Sequence, residues 1–297
     1  MKAELLGKDP QRPLRVGVNL SNFLLVTGRA EGSGDPVGVD PDVAAALAVC
    51  LGDAKLSLVP FANPGLLVDA ADDDVYDVGL IGAEPERAKV LELTTRPYCE
   101  TEATYLVRAM DRRFTDAASV DAEGVRVAVS ARVAYDLWLT ENLRHASLTR
   151  TVTPGLAGSL DLFLGGGGGG IPPLTESDLL PDFDALAGLR PWLLEQLDGD
   201  PRLGEKGYRV VEGNFMTVQQ AIGAPRCRFD AGSAGGGATM AFLNRFVRAA
   251  VASRFIHGLI KKHGVDGKLS AAVEEEPPWH CKGPQKWEPR PASNMFG

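Results

Sequence analysis

The strongest constraint on the fold is the alternation of strand and helix patterns in the first third of the chain. Residues 14–20 (LRVGVNL), 55–61 (KLSLVPF) and 76–82 (YDVGLIG) have the apolar character of buried strands. A helical pattern separates each of these strands from the next. Such a βαβαβ succession predicts a parallel sheet whose strand ends form one ligand-binding edge.

The first of these helices has recognisable ends in the sequence. Asp40 stands where an N-cap is expected, with Pro41 at the first helical position. Gly52 follows the last apolar residue of the pattern, which is typical of a C-cap. The second helix is shorter and covers residues 66–71.

The same plan continues along the rest of the chain. The pattern predicts an extended segment, then a strand that opens a second α/β lobe, a helix, three further strands and a terminal helical region. These elements cover residues 101–108, 125–130, 134–146, 148–152, 183–189, 208–215 and about 240–263. The predicted fold class is therefore α/β with two lobes.

Glycine is unusually frequent, at 34 of 297 residues, and nine glycines lie in two tracts, at 165–170 and 235–237. A phosphate-binding loop would need GK[ST] opening a helix after the glycines. The first tract instead leads into Ile171, Pro172 and Pro173. We interpret both tracts as loop insertions. Beyond Val273 the chain is rich in proline, which predicts an extended or disordered tail.

Charge and cysteine content exclude several classes of function. A net charge of −8 without a basic block argues against nucleic-acid binding. No apolar run reaches the length of a membrane helix, and the start of the chain as written has no secretory h-region, which predicts a cytoplasmic protein. The scattered cysteines favour reduced thiols; they are Cys50, Cys99, Cys227 and Cys281.

The histidines give no catalytic or metal-binding set. His145 is interpreted as a capping or surface residue, and His257 and His263 have poor spacing for one metal ion. His280 and Cys281 are adjacent in the tail without partners at zinc spacing. We therefore expect no metal, no cofactor and no catalytic residue.

Several strings together resemble one family. LRVGVNLSNFLLV, GVDPDVAAALAVCLG and YDVGLIGAEPERAKVLELTTRPY are similar to the first lobe of family 3 extracellular solute-binding proteins, the polar-amino-acid receptors of ABC transporters. VRVAVSARVAYDLWLTENLRHASL and FDALAGLR resemble the second lobe, and GNFMTVQQAIGAPR leads back to the terminal helices. The chain looks most like a subgroup whose members often lack an obvious signal peptide.

This resemblance implies a periplasmic-binding-protein-like type II fold, with a ligand cleft between two lobes that close about a hinge. Lobe 1 would comprise residues 13–108 and 218–273, and lobe 2 residues 109–217 with a glycine-rich insertion at 165–181. A segment at 1–12 and a tail at 274–297 would lie outside both lobes. The resemblance also implies a monomeric receptor that delivers its ligand to an ABC permease. It implies a periplasmic or extracellular location if the N-terminus as given is incomplete or mature.

The resemblance also places ligand-binding residues in lobe 1. Arg87 occupies the position that holds a ligand's α-carboxylate, and a guanidinium matches a carboxylate with two N–H donors. Gly82, at the preceding strand end, would let the backbone approach the ligand. Asn19 and Asn22 would either contact the ligand or form turns. Glu84 is one candidate for the negative partner of an ammonium group.

Lobe 2 departs from the family pattern. Where the receptors commonly place hydroxyl donors at a helix start, this chain has Arg132, and where they often place an acidic residue it has Arg190. Together with Arg87, these residues would favour a carboxylate-rich or otherwise anionic ligand. If Glu84 or Asp77 supplied a negative partner for a ligand ammonium group, the site would instead favour a zwitterionic ligand.

Two alternatives to a binding protein stay open at this point. The first is an enzyme on the same scaffold, similar to dehydratases acting on prephenate or arogenate, with Glu84 as general acid. The second is a relic that folds but binds nothing tightly, since the second-lobe contacts have changed. Binding without catalysis is the leading prediction.

Overall fold

The computed structural model describes residues 5–6, 9, 11–151, 156–165, 183–204, 207–229 and 235–273. The predicted glycine-rich insertion beyond Gly165 and the tail with His280 and Cys281 lie outside the described residues. So does most of the predicted segment 1–12.

The described chain alternates strands and helices as follows. The strands are β1 (Leu14–Asn19), β2 (Gly28–Arg29), β3 (Pro36–Val37), β4 (Leu56–Phe61), β5 (Val78–Gly82), β6 (Leu91–Leu93), β7 (Cys99–Arg108), β8 (Arg126–Val129), β9 (Ser147–Arg150), β10 (Ala185–Leu189), β11 (Tyr208–Val210), β12 (Met216–Pro225) and β13 (Ser270–Ala271). The helices are α1 (Val39–Cys50), α2 (Pro64–Asp69), α3 (Ala134–Asn142), α4 (Leu156–Phe163), α5 (Arg190–Gly199), α6 (Pro201–Gly204), α7 (Gly235–Ala252) and α8 (Phe255–Lys262).

Most of the strands form a single curled sheet. Its order is β4-β1-β5-β12-β7-β10-β8-β9, with β6 beside β12 and with β11 and β13 beside β7. The pairs β1–β4 and β1–β5 are parallel, and so are β8–β9 and β8–β10. The βαβαβ unit predicted from the first third of the sequence is confirmed, because its three buried apolar runs pair side by side.

Two long antiparallel strands connect the halves of this sheet. β7 and β12 pair with each other, β12 also pairs with β5, and β7 also pairs with β10. The first half of the sheet is therefore β4-β1-β5 and the second half is β10-β8-β9. The predicted lobe boundaries, after residues 108 and 217, fall at the end of β7 and near the start of β12.

The apolar residues fill the space between the sheet and its helices. A large core cluster includes buried residues from both halves, such as Val16 of β1 and Val127 of β8. A smaller cluster underlies α2 and includes Leu67, Tyr76 and Ile81. This burial fixes α2 against the sheet immediately beside the edge where β1, β4 and β5 end.

The prediction that Asp40 caps α1 is wrong. The helix begins at Val39 and is preceded by Gly38, whose φ is 154°. A Cβ on Gly38 would lie 2.2 Å from the Leu25 carbonyl oxygen, so the close approach of two backbone segments sets the helix start. Asp40 is instead buried in the first turn and accepts a 2.6 Å hydrogen bond from the Tyr98 hydroxyl.

The interpretation of the second glycine tract as a loop is also wrong. α7 begins at Gly235 and includes the whole tract, and the terminal helical region divides into α7 and α8 at Arg254, where φ is 61°. Leu243 and Val247, among others, pack α7 into the core. Tertiary packing of this apolar face outweighs the low helix propensity of three glycines.

Among the described residues, no helix is long and apolar enough to cross a membrane. The described residues also contain no group of three or more His, Cys, Asp or Glu side chains that could hold a metal ion.

Candidate functional site

The candidate site lies at the edge of the sheet where the first three parallel strands end. In the β1–β4 pairing Asn19 lies opposite Phe61, and in the β1–β5 pairing Val18 lies opposite Leu80. The register places Asn19 and Gly82 at neighbouring strand ends. Polar groups that follow these strands therefore converge on one edge, as expected for an open parallel sheet.

Gly82 is followed by a short 3-10 turn that buries an ion pair. The Arg87 amide donates to the Glu84 carbonyl, which folds the turn back on itself. Arg87 is only 3% exposed. Its guanidinium places Nη1 2.7 Å from Glu84 Oε2 and donates a 3.2 Å hydrogen bond to the Gly82 carbonyl. Nη2 of Arg87 is buried and has no hydrogen-bond partner. One side of the guanidinium is thus held while the other has unused N–H donors.

The pair requires glycine at position 82. A Cβ there would lie 2.6 and 2.7 Å from the two Glu84 carboxylate oxygens and 2.8 Å from Arg87 Nη1. Distances this short leave no room for a side chain. The groups that approach Gly82 in the structure are the side chains of Glu84 and Arg87. The predicted approach of the backbone to a ligand at Gly82 stays a prediction.

Burial acts against both charges of the pair. Desolvation raises the pKa of Glu84, and the charge of Arg87 opposes that rise. Desolvation lowers the pKa of Arg87, Glu84 opposes it, and the charge of Arg132 adds to the lowering. Each partner therefore stabilises the other's ionised form in a poorly solvated place.

Arg132 connects the two halves of the sheet. It lies between β8 and α3 with a left-handed φ of 63°, and its amide donates to Asp136 Oδ2 at 2.7 Å. Its guanidinium donates to both carboxylate oxygens of Asp69, at 2.8 and 2.6 Å, and to the Gly65 carbonyl at 3.2 Å. Gly65 and Asp69 belong to α2. The Arg132 guanidinium is therefore bound to α2.

Gly65 makes this contact possible. α2 begins after Asn63, whose side chain accepts a hydrogen bond from the Leu66 amide, and Gly65 lies in its first turn. A Cβ on Gly65 would lie 2.7 Å from Arg132 Cζ and 2.8 Å from its Nε. In its present position the guanidinium occupies the space that a side chain at residue 65 would need.

The third predicted arginine, Arg190, has its own set of partners. Arg190 begins α5, and its Nε donates to Glu102 Oε2 at 2.7 Å. Its guanidinium also donates to the carbonyls of Val211 and Gly213. These contacts connect α5 to β7 and to the segment between β11 and β12. A ligand-binding role for Arg190 stays a prediction, and these contacts account for the residue without one.

Asn19 and Asn22 form turns after β1. Asn19 Oδ1 accepts hydrogen bonds from the Ser21 amide and hydroxyl, and Asn22 Oδ1 accepts one from the Leu24 amide. Both contacts are typical of asparagine turns. A direct contact with ligand stays a prediction for these two residues.

Every predicted arginine of the site has a carboxylate partner. Arg87 pairs with Glu84, and the other two pairs are Arg132–Asp69 and Arg190–Glu102. The expected preference for an anionic ligand rested on an excess of positive charge, and these carboxylates remove that excess. Asp77, the other acidic candidate, lies elsewhere, paired with Arg12, Arg15 and Arg228.

Sequence reasoning missed Gly65 and Asp69. Both lie in α2 and contact a residue more than sixty positions away, at 67 and 63 residues of separation. The string LLVDAADDD carries no motif that would mark Asp69. The acidic run that follows it forms a turn in which Asp74 is exposed and pairs with Arg15.

The fold is shared with solved solute-binding proteins. A mutant of ArgBP from T. maritima aligns with a TM-score of 0.61 at 19% identity, over 89% of this chain and 100% of that one. An amino acid ABC transporter substrate-binding protein from Streptococcus pneumoniae, bound to L-arginine, aligns with a TM-score of 0.62 at 17% identity, over 91% of this chain and 99% of that one.

A third similar structure is an ancestral amino acid-binding protein described as a precursor of cyclohexadienyl dehydratase. It aligns with a TM-score of 0.59 at 18% identity, over 84% of this chain and 94% of that one. No protein-family model matches the sequence, and a comparison with curated proteins finds no match either. The structural likenesses establish the fold, which is the two-lobed type II fold of periplasmic binding proteins.

Proposed function

We propose that this chain is a solute-binding protein that recognises an amino acid or a related small carboxylate between its lobes and closes about a hinge without turnover. The observation that carries the proposal is the buried guanidinium of Arg87, whose Nη2 has no hydrogen-bond partner. A buried N–H without an acceptor costs about 1–3 kcal/mol. A ligand carboxylate would remove that cost.

The position of Arg87 supports the same proposal. It follows the end of β5, and the charge of Arg132, which comes from the other half of the sheet, lowers the pKa of Arg87. A ligand held between these elements would contact both halves and stabilise their closed arrangement. The Streptococcus pneumoniae neighbour is bound to L-arginine, which agrees with a ligand of this class.

The finer assignments belong to this proposal. We infer membership of the family 3 solute-binding proteins, in the subgroup that often lacks an obvious signal peptide. The lobes would be residues 13–108 with 218–273, and 109–217. The protein would act as a monomer and deliver its ligand to an ABC permease. Structural neighbours from amino acid ABC transporters support this assignment.

A thermal-shift panel of amino acids and small organic acids tests the proposal. At a ligand concentration one hundred times the dissociation constant, the free energy of unfolding should rise by about 2.7 kcal/mol. Arg87→Lys keeps the charge that Glu84 needs but removes the planar fork, so it should abolish or greatly reduce the shift.

Arg112→Ala is the matched control, because Arg112 is an exposed arginine away from the candidate site. It should respond to ligand like the unaltered protein. A panel without any stabilising compound would contradict the proposed function. An undiminished shift in Arg87→Lys would remove Arg87 from the site.

One observation favours a second candidate function. Burial raises the pKa of Glu84, and a buried carboxyl group with a raised pKa is suited to general acid catalysis. One structural neighbour is described as a precursor of cyclohexadienyl dehydratase. Product formation from prephenate or arogenate, lost in Glu84→Gln, would favour an enzyme; its absence with binding retained would favour the receptor.

A further inference from the structure

We propose, as a deepening of the proposed function on which it rests, that the ligand competes with Glu84 for the Arg87 guanidinium, and that Glu84 takes up a proton when the ligand binds. The proton leaves a buffer acid and forms the O–H bond of the Glu84 carboxyl group. Ligand affinity would then depend on pH through a residue of the protein itself.

The ion pair leaves the Arg87 guanidinium incompletely bonded. Arg87 Nη1 lies 2.7 Å from Glu84 Oε2, but the hydrogen bond that it donates goes to the Gly82 carbonyl, at 3.2 Å. Within the described part of the chain, Glu84 Oε2 and Arg87 Nη2 are buried atoms without a hydrogen-bond partner. Glu84 therefore balances the charge of Arg87 without filling its planar fork. A ligand carboxylate that forms two parallel hydrogen bonds to the guanidinium has an advantage over Glu84.

Glu84 stays in a poorly solvated place when it loses its partner. Its side chain is 6% exposed. Its two carboxylate oxygens would lie 2.6 and 2.7 Å from a Cβ on Gly82, so they are packed against the end of β5. Two carboxylates that share one guanidinium bring an extra negative charge to this place. A buried carboxylate in that situation is neutralised by binding a proton.

The balance of influences on Glu84 predicts the same change. Burial raises the pKa of Glu84, and the positive charge of Arg87 opposes that rise. A ligand carboxylate at Arg87 weakens the opposing influence, so the pKa of Glu84 should rise further on binding. Glu86 and Lys89, in the same turn, form a pair with each other, and both side chains are exposed.

The neighbouring elements contribute a neutral residue and a balanced ion pair. β12 places Gln220 opposite Gly82 in the sheet register. The charge of Arg132, from the segment before α3, acts on Arg87, and both oxygens of Asp69 in α2 accept hydrogen bonds from Arg132. The positive charge that Glu84 gains on ligand binding is therefore expected to be a proton from solution.

The sign of the pH dependence follows from the rise in pKa. Below the pKa of Glu84 in the ligand-free protein, the carboxyl group is already protonated and affinity should not change with pH. Above that pKa, binding takes up a proton, and the dissociation constant should increase by up to about tenfold per pH unit. A ligand ammonium group beside an ionised Glu84 would instead give binding without proton uptake.

Isothermal titration calorimetry in buffers of different ionisation enthalpy counts the protons taken up. The first probes are L-arginine, L-glutamate and succinate, followed by any other compound that stabilises the protein in the thermal-shift panel. Between about pH 5 and 8 we expect uptake to rise toward about one proton per ligand as the affinity falls. Absence of uptake over this whole range would overturn the inference. The measurement needs no variant, so it does not depend on whether a variant folds.

Glu84→Gln assigns the proton to this residue, with Arg112→Ala as control. Glutamine does not titrate, so the variant should show neither uptake nor pH dependence, and near pH 8 it should bind roughly tenfold more tightly than the unaltered protein. Arg112→Ala should keep both properties. Uptake that persists in Glu84→Gln, or weaker binding by that variant near pH 8, would overturn the inference. Binding without proton uptake leaves the proposed function intact, whereas a panel without any ligand contradicts both.

Discussion

The Arg132 guanidinium and the Asp69 carboxylate form a two-point ion pair between opposite halves of one sheet, with N–O distances of 2.8 and 2.6 Å. The pair raises the pKa of Arg132 and lowers that of Asp69, through their mutual hydrogen bonds. About half of each side chain is exposed to solvent. Solvent therefore screens the pair, which holds the two halves together only weakly.

Asp69→Asn is expected to open the cleft without unfolding the protein. An exposed ion pair contributes about 0–1 kcal/mol, so the free energy of unfolding should fall by no more than that. The closed fraction of the ligand-free protein should decrease, with a larger radius of gyration in small-angle X-ray scattering. Asp73→Asn is the control, since Asp73 is exposed in the same region. Identical scattering from both variants would contradict a closing role for Asp69.

Gly65→Ala tests the same contact from the side of the helix. The added Cβ would lie within 2.8 Å of the Arg132 guanidinium, so that flexible side chain must move away. Alanine is also favoured over glycine in a helix by up to about 1 kcal/mol. We expect unfolding by urea to require at least as much denaturant as before, while scattering shows the opening seen in Asp69→Asn. A clear loss of stability would show that the backbone, and not Arg132, had to adjust.

Gly82→Ala is expected to remove ligand binding. The methyl group would approach both Glu84 oxygens within 2.7 Å, so the buried Glu84 and Arg87 side chains would have to move. Overpacking of this kind costs about 1–3 kcal/mol, measurable by urea unfolding. Gly28→Ala is a matched control in another strand, where an added Cβ meets nothing within 4 Å. Ligand shifts that are equal in the two variants would place the ligand away from Gly82.

The strands of the first βαβαβ unit could be predicted because each is a continuous buried apolar run. The partners of the charged residues could not, since each contact depends on how the sheet curls. Arg190 pairs with Glu102, 88 residues away, and Arg132 pairs with Asp69, 63 residues away. Motif position indicated which arginines lie near strand ends. It carried no information about the carboxylates that neutralise them.

Predictions from local sequence were wrong where tertiary packing determines the backbone conformation. The glycines at 235–237 look like a loop, but they form the first turn of a helix whose apolar face is buried further along. The N-cap assignment of Asp40 failed for a related reason. Its carboxyl group points into the core toward Tyr98, a contact that spans 58 residues.

The Asp40–Tyr98 contact makes folding stability depend on pH. Complete burial raises the pKa of Asp40 from 3.8 to about 7, although the Tyr98 hydrogen bond opposes the rise. Between those values the unfolded chain loses a proton that the folded protein keeps, so this residue's contribution to stability is full below 3.8 and falls as pH rises to about 7. The slope from this residue alone is up to about 1.4 kcal/mol per pH unit.

Asp40→Asn should remove that slope, because asparagine does not titrate and still offers an oxygen to the Tyr98 hydroxyl. Urea unfolding at pH values across this window, compared between the variant and the unaltered protein, isolates the contribution of Asp40 from that of other carboxylates. The difference in unfolding free energy should shift in favour of the variant as pH rises toward 7 and become constant above it. Tyr98→Phe, which removes the hydrogen bond but keeps Asp40, should retain the slope and extend it to higher pH. Parallel pH profiles for Asp40→Asn and the unaltered protein would show that Asp40 does not titrate in this range.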